Sequence, residues 1–316
     1  MFKDKTIRKE LYRIIDRIEI SGSLIRYNGK SFPITPENAL VVLTGLLYSE
    51  CYMLKERYQS KPLQNLNVPT EDPTGFINRL SQNNHTKEKL EQGWEVKHTY
   101  TGGYADIARN NEKRIVNTSA IKKLAPGEQT VSVLFPKEDR YRQPSFYYAF
   151  SDAPMDTASQ LVRIYWNCTP EGAPVLLNVL TTRLNHYNIP FLFKCLSHPE
   201  HYFRRDAAVL YIDAALMPLL ERILPELVSV MEPYLDEDVP LFSHRHSKGV
   251  GIAENPGAQE SFGMNRMTIL AEVLLQTATT SHSPDTILDE MATAFQKKGI
   301  SPLTPYYNKG TKILFN

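Results

Sequence analysis

The stretch LVRIYWNCTPEGAPVLLNVLTTRLNHYNIPFLFKCL, residues 161–196, decides the fold. Its first seven residues, LVRIYWN (161–167), alternate in the manner of a strand, with successive side chains pointing to opposite faces. Arg163, Tyr165 and Asn167 share one face, and Val162, Ile164 and Trp166 the other. Thr169-Pro170-Glu171 then supplies a helix start, with proline where a missing N–H costs nothing, and the spacing predicts a helix to about Tyr187. Asn188 ends it, and IPFLFKCL (189–196) is the next strand.

Downstream, a polar loop (SHPEHYFRR, 197–205) leads into a third strand, DAAVLYI (206–212), and Asp213 caps another helix. Residues 232–258 read as a long irregular loop, after which SFGMNRMTILAEVLLQ forms a helix from about Ser261. Upstream, WEVKHTY, ADIARN, KRIVN, TVSVLFP and SFYYAF (between 94 and 150) are short, alternating and bounded by turn residues, as strands are. Nearer the N-terminus, Ile7, Leu11, Ile14, Ile15 and Ile18 predict an amphipathic helix over 6–19, and Thr35-Pro36-Glu37 opens an apolar helix to about Leu54. Between these helices, SLIRYNGKSFPI reads as a hairpin around Asn28-Gly29. SKPLQNLNVPTEDPTG (60–75) reads as a long connection, with a domain boundary near 85–92. The expected class is α+β. A mainly helical region (1–90) precedes an α+β domain (91–316) whose mixed, largely antiparallel sheet is flanked by helices.

Bulk composition narrows the function classes. The chain has 316 residues, 42% hydrophobic and 22% charged, with 36 Lys plus Arg against 35 Asp plus Glu. A net charge of +1 argues against a chain built mainly to coat nucleic acid or an anionic membrane, and is compatible with a local basic pocket. Cys51, Cys168 and Cys195 are odd in number, widely spaced and each in an apolar stretch, so they read as reduced core residues of a cytosolic protein. The N-terminal segment MFKDKTIRKELYRIIDRIEI has no long apolar run, so neither a signal peptide nor a membrane span is expected. The expected location is cytoplasmic, and a type III secretion route would leave no trace in these features. His244-Arg-His246 and His198-Pro-Glu-His201 lack further ligands at zinc-like spacing. Neither Thr101-Gly102-Gly103 nor Lys248-Gly249-Val250-Gly251 completes a phosphate-loop or dinucleotide pattern. No hydrolase elbow or kinase signature set is present. No metal and no cofactor is expected.

The residues that bear chemistry are basic and phenolic. Lys194 sits mid-strand in FLFKCL with apolar neighbours on both sides. It either snorkels to solvent at a sheet edge or sits partly desolvated, where the ammonium is disfavoured and the free amine becomes a base near neutral pH. Arg204 and Arg205 close a loop before a buried strand, and Arg266 lies in the first turns of a helix. Each is either a surface ion-pair partner or a phosphate ligand. Tyr211 ends its strand as a core phenol or a donor, and the face carrying Arg163 and Tyr165 is either solvated or part of a site.

Several segments resemble the HopA-type effector family, named for a plant-pathogen type III effector and including relatives in non-pathogenic bacteria. They are VSVLFPKE (131–138), SFYYAFSDAP (145–154), VRIYWNCTPEGA (162–173), LTTRLNHYNIPFLFKCL (180–196), RRDAAVLYI (204–212), VPLFSHRHSKGVGIAENPG (239–257) and ESFGMNRMTILAEVLLQ (260–276). Members of this family in lanthipeptide and thioamitide pathways are regarded as lyases paired with a separate kinase. The kinase phosphorylates Ser or Thr of a precursor peptide, and the lyase removes phosphate to leave dehydroalanine or dehydrobutyrine. The family is also distantly similar to phosphothreonine lyase effectors, which use a Lys base, a His acid and an arginine-rich phosphate pocket.

That resemblance implies Lys194 as base, Arg204 and Arg266 as phosphate arginines, and Tyr211 as a site tyrosine. Arg163 stands where those lyases have a lysine, and Tyr165 where they have the histidine acid. Lys137 in the FPKE segment is a further candidate for phosphate or enolate. With no histidine at the acid position, Tyr165 or Tyr211 is the expected donor, and His98, His201 and His244 are the other candidates. The expected function is a phosphoserine/phosphothreonine lyase acting on a precursor peptide, without nucleic acid or membrane partners. The alternatives are a non-catalytic scaffold for peptide or kinase, and a secreted effector acting on host proteins.

Overall fold

The computed structural model of the chain describes residues 1–58, 73–110, 112–122, 129–155, 160–257, 260–278, 282–313 and 315. Of the connection expected at 60–75, residues 60–72 lie outside these, and Thr74 already opens a helix.

Helix α1 (Lys5–Arg17) starts at Asp4, whose carboxylate accepts the Thr6 and Ile7 N–H groups at 2.8 and 2.9 Å, and buries Ile7, Leu11 and Ile14. The last predicted turn of this helix is instead strand β1 (Ile18–Ser21), which pairs with the hairpin β2 (Leu24–Tyr27) and β3 (Lys30–Pro33). Asn28 and Gly29 both take positive φ, 49° and 75°, as a two-residue turn of matching twist requires. The second helix begins as α2 (Ala39–Leu46) and continues as a π-helical segment, Leu47–Met53. Helix α3 (Thr74–Gln82) precedes a five-stranded sheet made of β4 (Lys89–Tyr100), β5 (Tyr104–Arg109), β6 (Glu112–Asn117), β7 (Ile121–Lys122) and β8 (Val131–Phe135). Its order is β6-β5-β4-β8-β7, around a small core of Trp94, Ile107 and Val133.

The central sheet follows. Its strands are β9 (Glu138–Asp139), β10 (Phe146–Phe150), β11 (Leu161–Trp166), β12 (Phe191–Leu196), β13 (Ala208–Asp213), β14 (His244–Ser247) and β15 (Val250–Glu254), in the order β14-β15-β11-β13-β12-β10-β9. Helix α4 (Gly172–His186) links β11 to β12, α5 (Met217–Met231) follows β13, and α6 (Phe262–Thr277) and α7 (Pro284–Lys297) close the chain. The crossover through α4 leaves a one-strand gap that β13 fills, running antiparallel to both neighbours. Every pairing among the described strands is antiparallel, so the expected mixed sheet is antiparallel throughout. The β14–β15 hairpin lies inside the stretch read as irregular loop. Its strands are short, one is polar and the other contains Gly251, so neither carries a strand signature.

Both faces of the central sheet are covered. Val162, Ile164, Trp166, Leu210, Ile212, Phe191 and Phe193 pack beneath α4 and α5. On the opposite face Tyr165, Val209 and Ala253 join a second core built from α1, α2, α6 and α7. The face of Arg163 and Tyr165 is therefore not solvated. The three cysteines are free and buried, as expected. Among the described residues no helix is long and apolar enough to cross a membrane.

Candidate active site

Strand register brings the chemical residues together. Tyr148 of β10 lies opposite Lys194 of β12, which lies opposite Val209 of β13, which in turn lies opposite Tyr165 of β11. In the next row outward, Leu192, Tyr211 and Arg163 are neighbours. Because faces alternate with period two, Lys194, Tyr211, Arg163 and Tyr165 all project to the same side. There they line a pocket of about 230 Å³ with Arg204, Asp206, Gln143 and Phe146. Tyr48 and Tyr52 of the π-helical segment and Ser261 and Gly263 at the start of α6 complete the wall.

Strand β12 is interior, between β13 and β10, so Lys194 does not snorkel at an edge. Its amine lies 3.3 Å from Gln143 Oε1 and 4.4 Å from the Phe146 ring centroid, and Gln143 Oε1 also accepts the Tyr148 hydroxyl at 2.6 Å. Arg204 grips Asp206 with two N–H groups, at 2.8 and 2.9 Å, and the Tyr48 hydroxyl donates to the same carboxylate at 3.3 Å. Burial pushes the Asp206 carboxyl up, but the Arg204 guanidinium more than offsets this and holds it below the usual aspartate value. The folded state therefore binds fewer protons than the unfolded state just below pH 3.8, and stability rises with pH across that window. The pair's contribution is complete above it and lost as pH falls through the lower folded value. Asp206→Asn should flatten this slope in urea melts at stepped pH. An unchanged acid limb would mean that the pair does not govern it.

Arg163 is held by Asn255 Oδ1, 2.7 Å from Nε, and by the Glu260 carbonyl, 3.0 Å from Nη2, and it lies 5.2 Å from the Tyr211 ring centroid. Tyr165 is 2% exposed and Tyr52 1%; among the described residues neither hydroxyl makes a hydrogen bond of ordinary geometry, and their polar neighbours are each other and the Arg163 guanidinium. Burial pushes both phenols up, which keeps them as O–H donors at neutral pH. Sequence reasoning missed Tyr48, Tyr52, Asp206, Gln143, Ser261 and Gly263. The available signal was two tyrosines four apart, and so on one face, in a mostly apolar helical stretch. Their rings stack at 5.3 Å, and a Cβ at Gly263 would stand 2.4 Å from Tyr52 and 2.7 Å from Tyr48.

Two expected phosphate ligands are elsewhere. Arg266 is 1% exposed and donates to the Pro305 and Tyr307 carbonyls, both at 2.9 Å, and to Asn308 Oδ1 at 3.0 Å. It anchors the C-terminal segment and does not line the pocket. Lys137 donates to the Ser81 and Asn84 carbonyls, at 2.8 and 3.3 Å, and is likewise outside. The candidate histidines are not in the wall either. His98 packs on Tyr100, His201 on His198 and His244 on Tyr306.

No curated protein matches the chain. Among solved structures it is similar to an effector protein from Pseudomonas syringae pv. tomato strain DC3000, with 18% identity, a TM-score of 0.46, and coverage of 86% of this chain and 97% of that one. It is also similar to an effector protein from Pseudomonas syringae pv. syringae strain 61, with 12% identity, a TM-score of 0.48, and coverage of 87% and 99%. Residues 138–307, more than half of the sequence and spanning Arg163, Lys194, Arg204 and Tyr211, match the HopA1 effector protein family. The chain belongs to the HopA1 effector protein family.

Proposed function

We propose that the pocket eliminates phosphate from phosphoserine or phosphothreonine in a peptide or protein, leaving dehydroalanine or dehydrobutyrine. The observation that carries this reading is the convergence of three cations, Lys194, Arg163 and Arg204, with one carboxylate and four phenols on a single cavity. With Lys194 protonated the formal surplus is two positive charges, and with Lys194 as the free amine it is one, so in either state the pocket attracts a phosphate monoester dianion. Lys194 as the free amine takes the Cα proton, and the C–H electron pair becomes the new double bond. The Cβ–O bond breaks, and its electron pair leaves on the phosphate. Arg163 commits Nε and Nη2 to Asn255 and Glu260, and Arg204 commits Nε and Nη2 to Asp206 and Tyr48. Among the described residues no hydrogen bond of ordinary geometry engages Nη1 of either arginine, and these groups are proposed to take phosphoryl oxygens. Tyr165 or Tyr211 donates to the departing oxygen, and preorganised charge of this kind stabilises the transition state with little reorganisation.

The substrate is proposed to be a ribosomally made precursor peptide phosphorylated by a separate kinase, with the chain acting in the cytoplasm. The same chemistry on a host phosphoprotein is the effector variant, which the family's description favours. A phosphopeptide-holding scaffold is the second reading, favoured by Tyr165 at the acid position in place of histidine. The test mixes the purified chain with phosphoserine and phosphothreonine peptides and follows loss of phosphoric acid by mass, with thiol trapping of the alkene. Elimination is expected. Saturable binding without elimination would leave the scaffold.

A further inference from the structure

The pocket needs a second set of anion ligands, because Arg266 is committed elsewhere. The start of α6 meets the requirements. Ser261 caps this 16-residue helix by accepting the Met264 N–H at 3.0 Å, and the Asn265 N–H returns to the Ser261 carbonyl at 3.0 Å. The N–H groups of Phe262 and Gly263 are among those that no helix satisfies internally. Gly263 lies in the pocket wall, where its missing Cβ lets Tyr48 and Tyr52 close against the backbone.

A second, independent feature points to a ligand here. The hydroxyls of Tyr165 and Tyr52 line the same pocket, buried next to each other and to Arg163 and without a hydrogen bond of ordinary geometry among the described residues, and the Arg163 guanidinium is tied to the Glu260 carbonyl just before the helix. Unsatisfied buried polar atoms are costly, and these are phenols held in the O–H form. Gly263, Tyr52, Tyr165 and Arg163 all line the pocket, so one amide, two phenols and one guanidinium edge are available there as donors. An acceptor-only group with several oxygens satisfies such a set, and a helix N-terminus adds a favourable field for its negative charge.

We propose that the first turn of α6 is the phosphate cradle of this pocket, with the Gly263 amide and the Ser261 hydroxyl binding the phosphoryl oxygens of a phosphate monoester. It rests on the reading of the pocket as a phosphate-eliminating site, and it gives a main-chain amide and a hydroxyl the role that the family resemblance assigned to Arg266.

Phe262-Gly263 is the single Phe-Gly step in the sequence, so ¹³C-carbonyl phenylalanine with ¹⁵N-glycine labelling makes Gly263 the one amide detected in a carbonyl-selected spectrum of the full chain. Inorganic phosphate is titrated into the wild type, and a phosphothreonine peptide and its unphosphorylated twin into Lys194→Ala to prevent turnover. The Gly263 amide proton should move downfield and saturate in step with the calorimetric isotherm for phosphate and phosphopeptide, and stay still for the unphosphorylated peptide. Saturable calorimetric binding with an unmoved Gly263 resonance overturns the cradle, as does an equal response to both peptides or no phosphate binding at all. A moving resonance without loss of phosphoric acid in the mass assay would sink the lyase and leave the cradle standing.

Discussion

Lys194→Ala is expected to slow phosphate elimination about 10²–10⁴-fold, the usual contribution of a positioned general base. Lys194→Arg should slow it nearly as much while keeping phosphopeptide affinity close to wild type. The two variants separate two roles that one amine can play. Arginine keeps the positive charge but does not deprotonate, so it can hold a phosphate and cannot remove a proton. The fold should tolerate both changes, because Lys194 is half-buried and, among the described residues, makes one hydrogen bond to Gln143 and cation–π contacts with Phe146 and, more distantly, Tyr148. Such a cation–π contact contributes about 0.5–1 kcal/mol at an accessible position. Steady-state elimination rates and fluorescence-anisotropy binding of a labelled phosphopeptide give the two readouts. If Lys194→Arg eliminates at the wild-type rate, Lys194 is a phosphate ligand and the base lies elsewhere in the pocket.

The face that holds this chemistry was legible because strand geometry is local. Once LVRIYWN and FLFKCL are strands, period two alone settles which side chains point together, and the register of β11, β13 and β12 carries Arg163, Tyr165, Tyr211 and Lys194 to one side. What covers that face was not legible. Tyr48 and Tyr52 enter from a π-helical segment more than a hundred residues away in sequence, and nothing in residue preference marks where a helix widens. Arg266 was misplaced for a related reason. The first turn of α6 has both a pocket side and a core side, and which one Arg266 faces depends on carbonyls of the C-terminal segment, Pro305 and Tyr307, which no periodicity links to it. The polar alternation of β11 on its own left two readings open. Arg163 and Tyr165 look like a solvated face until a second layer, α2 and α6, is laid over them.

Arg204 and Arg205 show how finely the backbone divides identical residues, and the second large effect is expected there. Arg204 turns into the pocket, whereas Arg205 is fully buried and fastens three parts of the chain. Its Nη1 and Nη2 meet the Glu10 carboxylate of α1 at 3.1 and 3.0 Å, and its Nε lies 3.4 Å from Asp238, which accepts the Glu56 backbone N–H at 2.6 Å. Arg205→Met should destabilise the protein by up to about 3–5 kcal/mol, because it removes the buried cation between two carboxylates and leaves Glu10 only Arg13, at 3.5 Å. That is a large share of the roughly 5–15 kcal/mol that holds a typical domain together. Burial opposes the Arg205 charge, but the neighbouring carboxylates raise its pKa overall, so it remains a cation at any pH where Glu10 and Asp238 are ionised. The full loss should therefore show near neutral pH, where Arg205 is a cation. Adding Glu10→Leu and Asp238→Leu should restore much of the stability, since a well-packed apolar set often replaces a buried ionic one at no cost. Guanidinium melts of the single and triple variants near neutral pH measure this. A single variant that melts like the wild type would mean that water already screens Glu10 and Asp238, and that α1 is fastened chiefly by the burial of Ile7, Leu11 and Ile14.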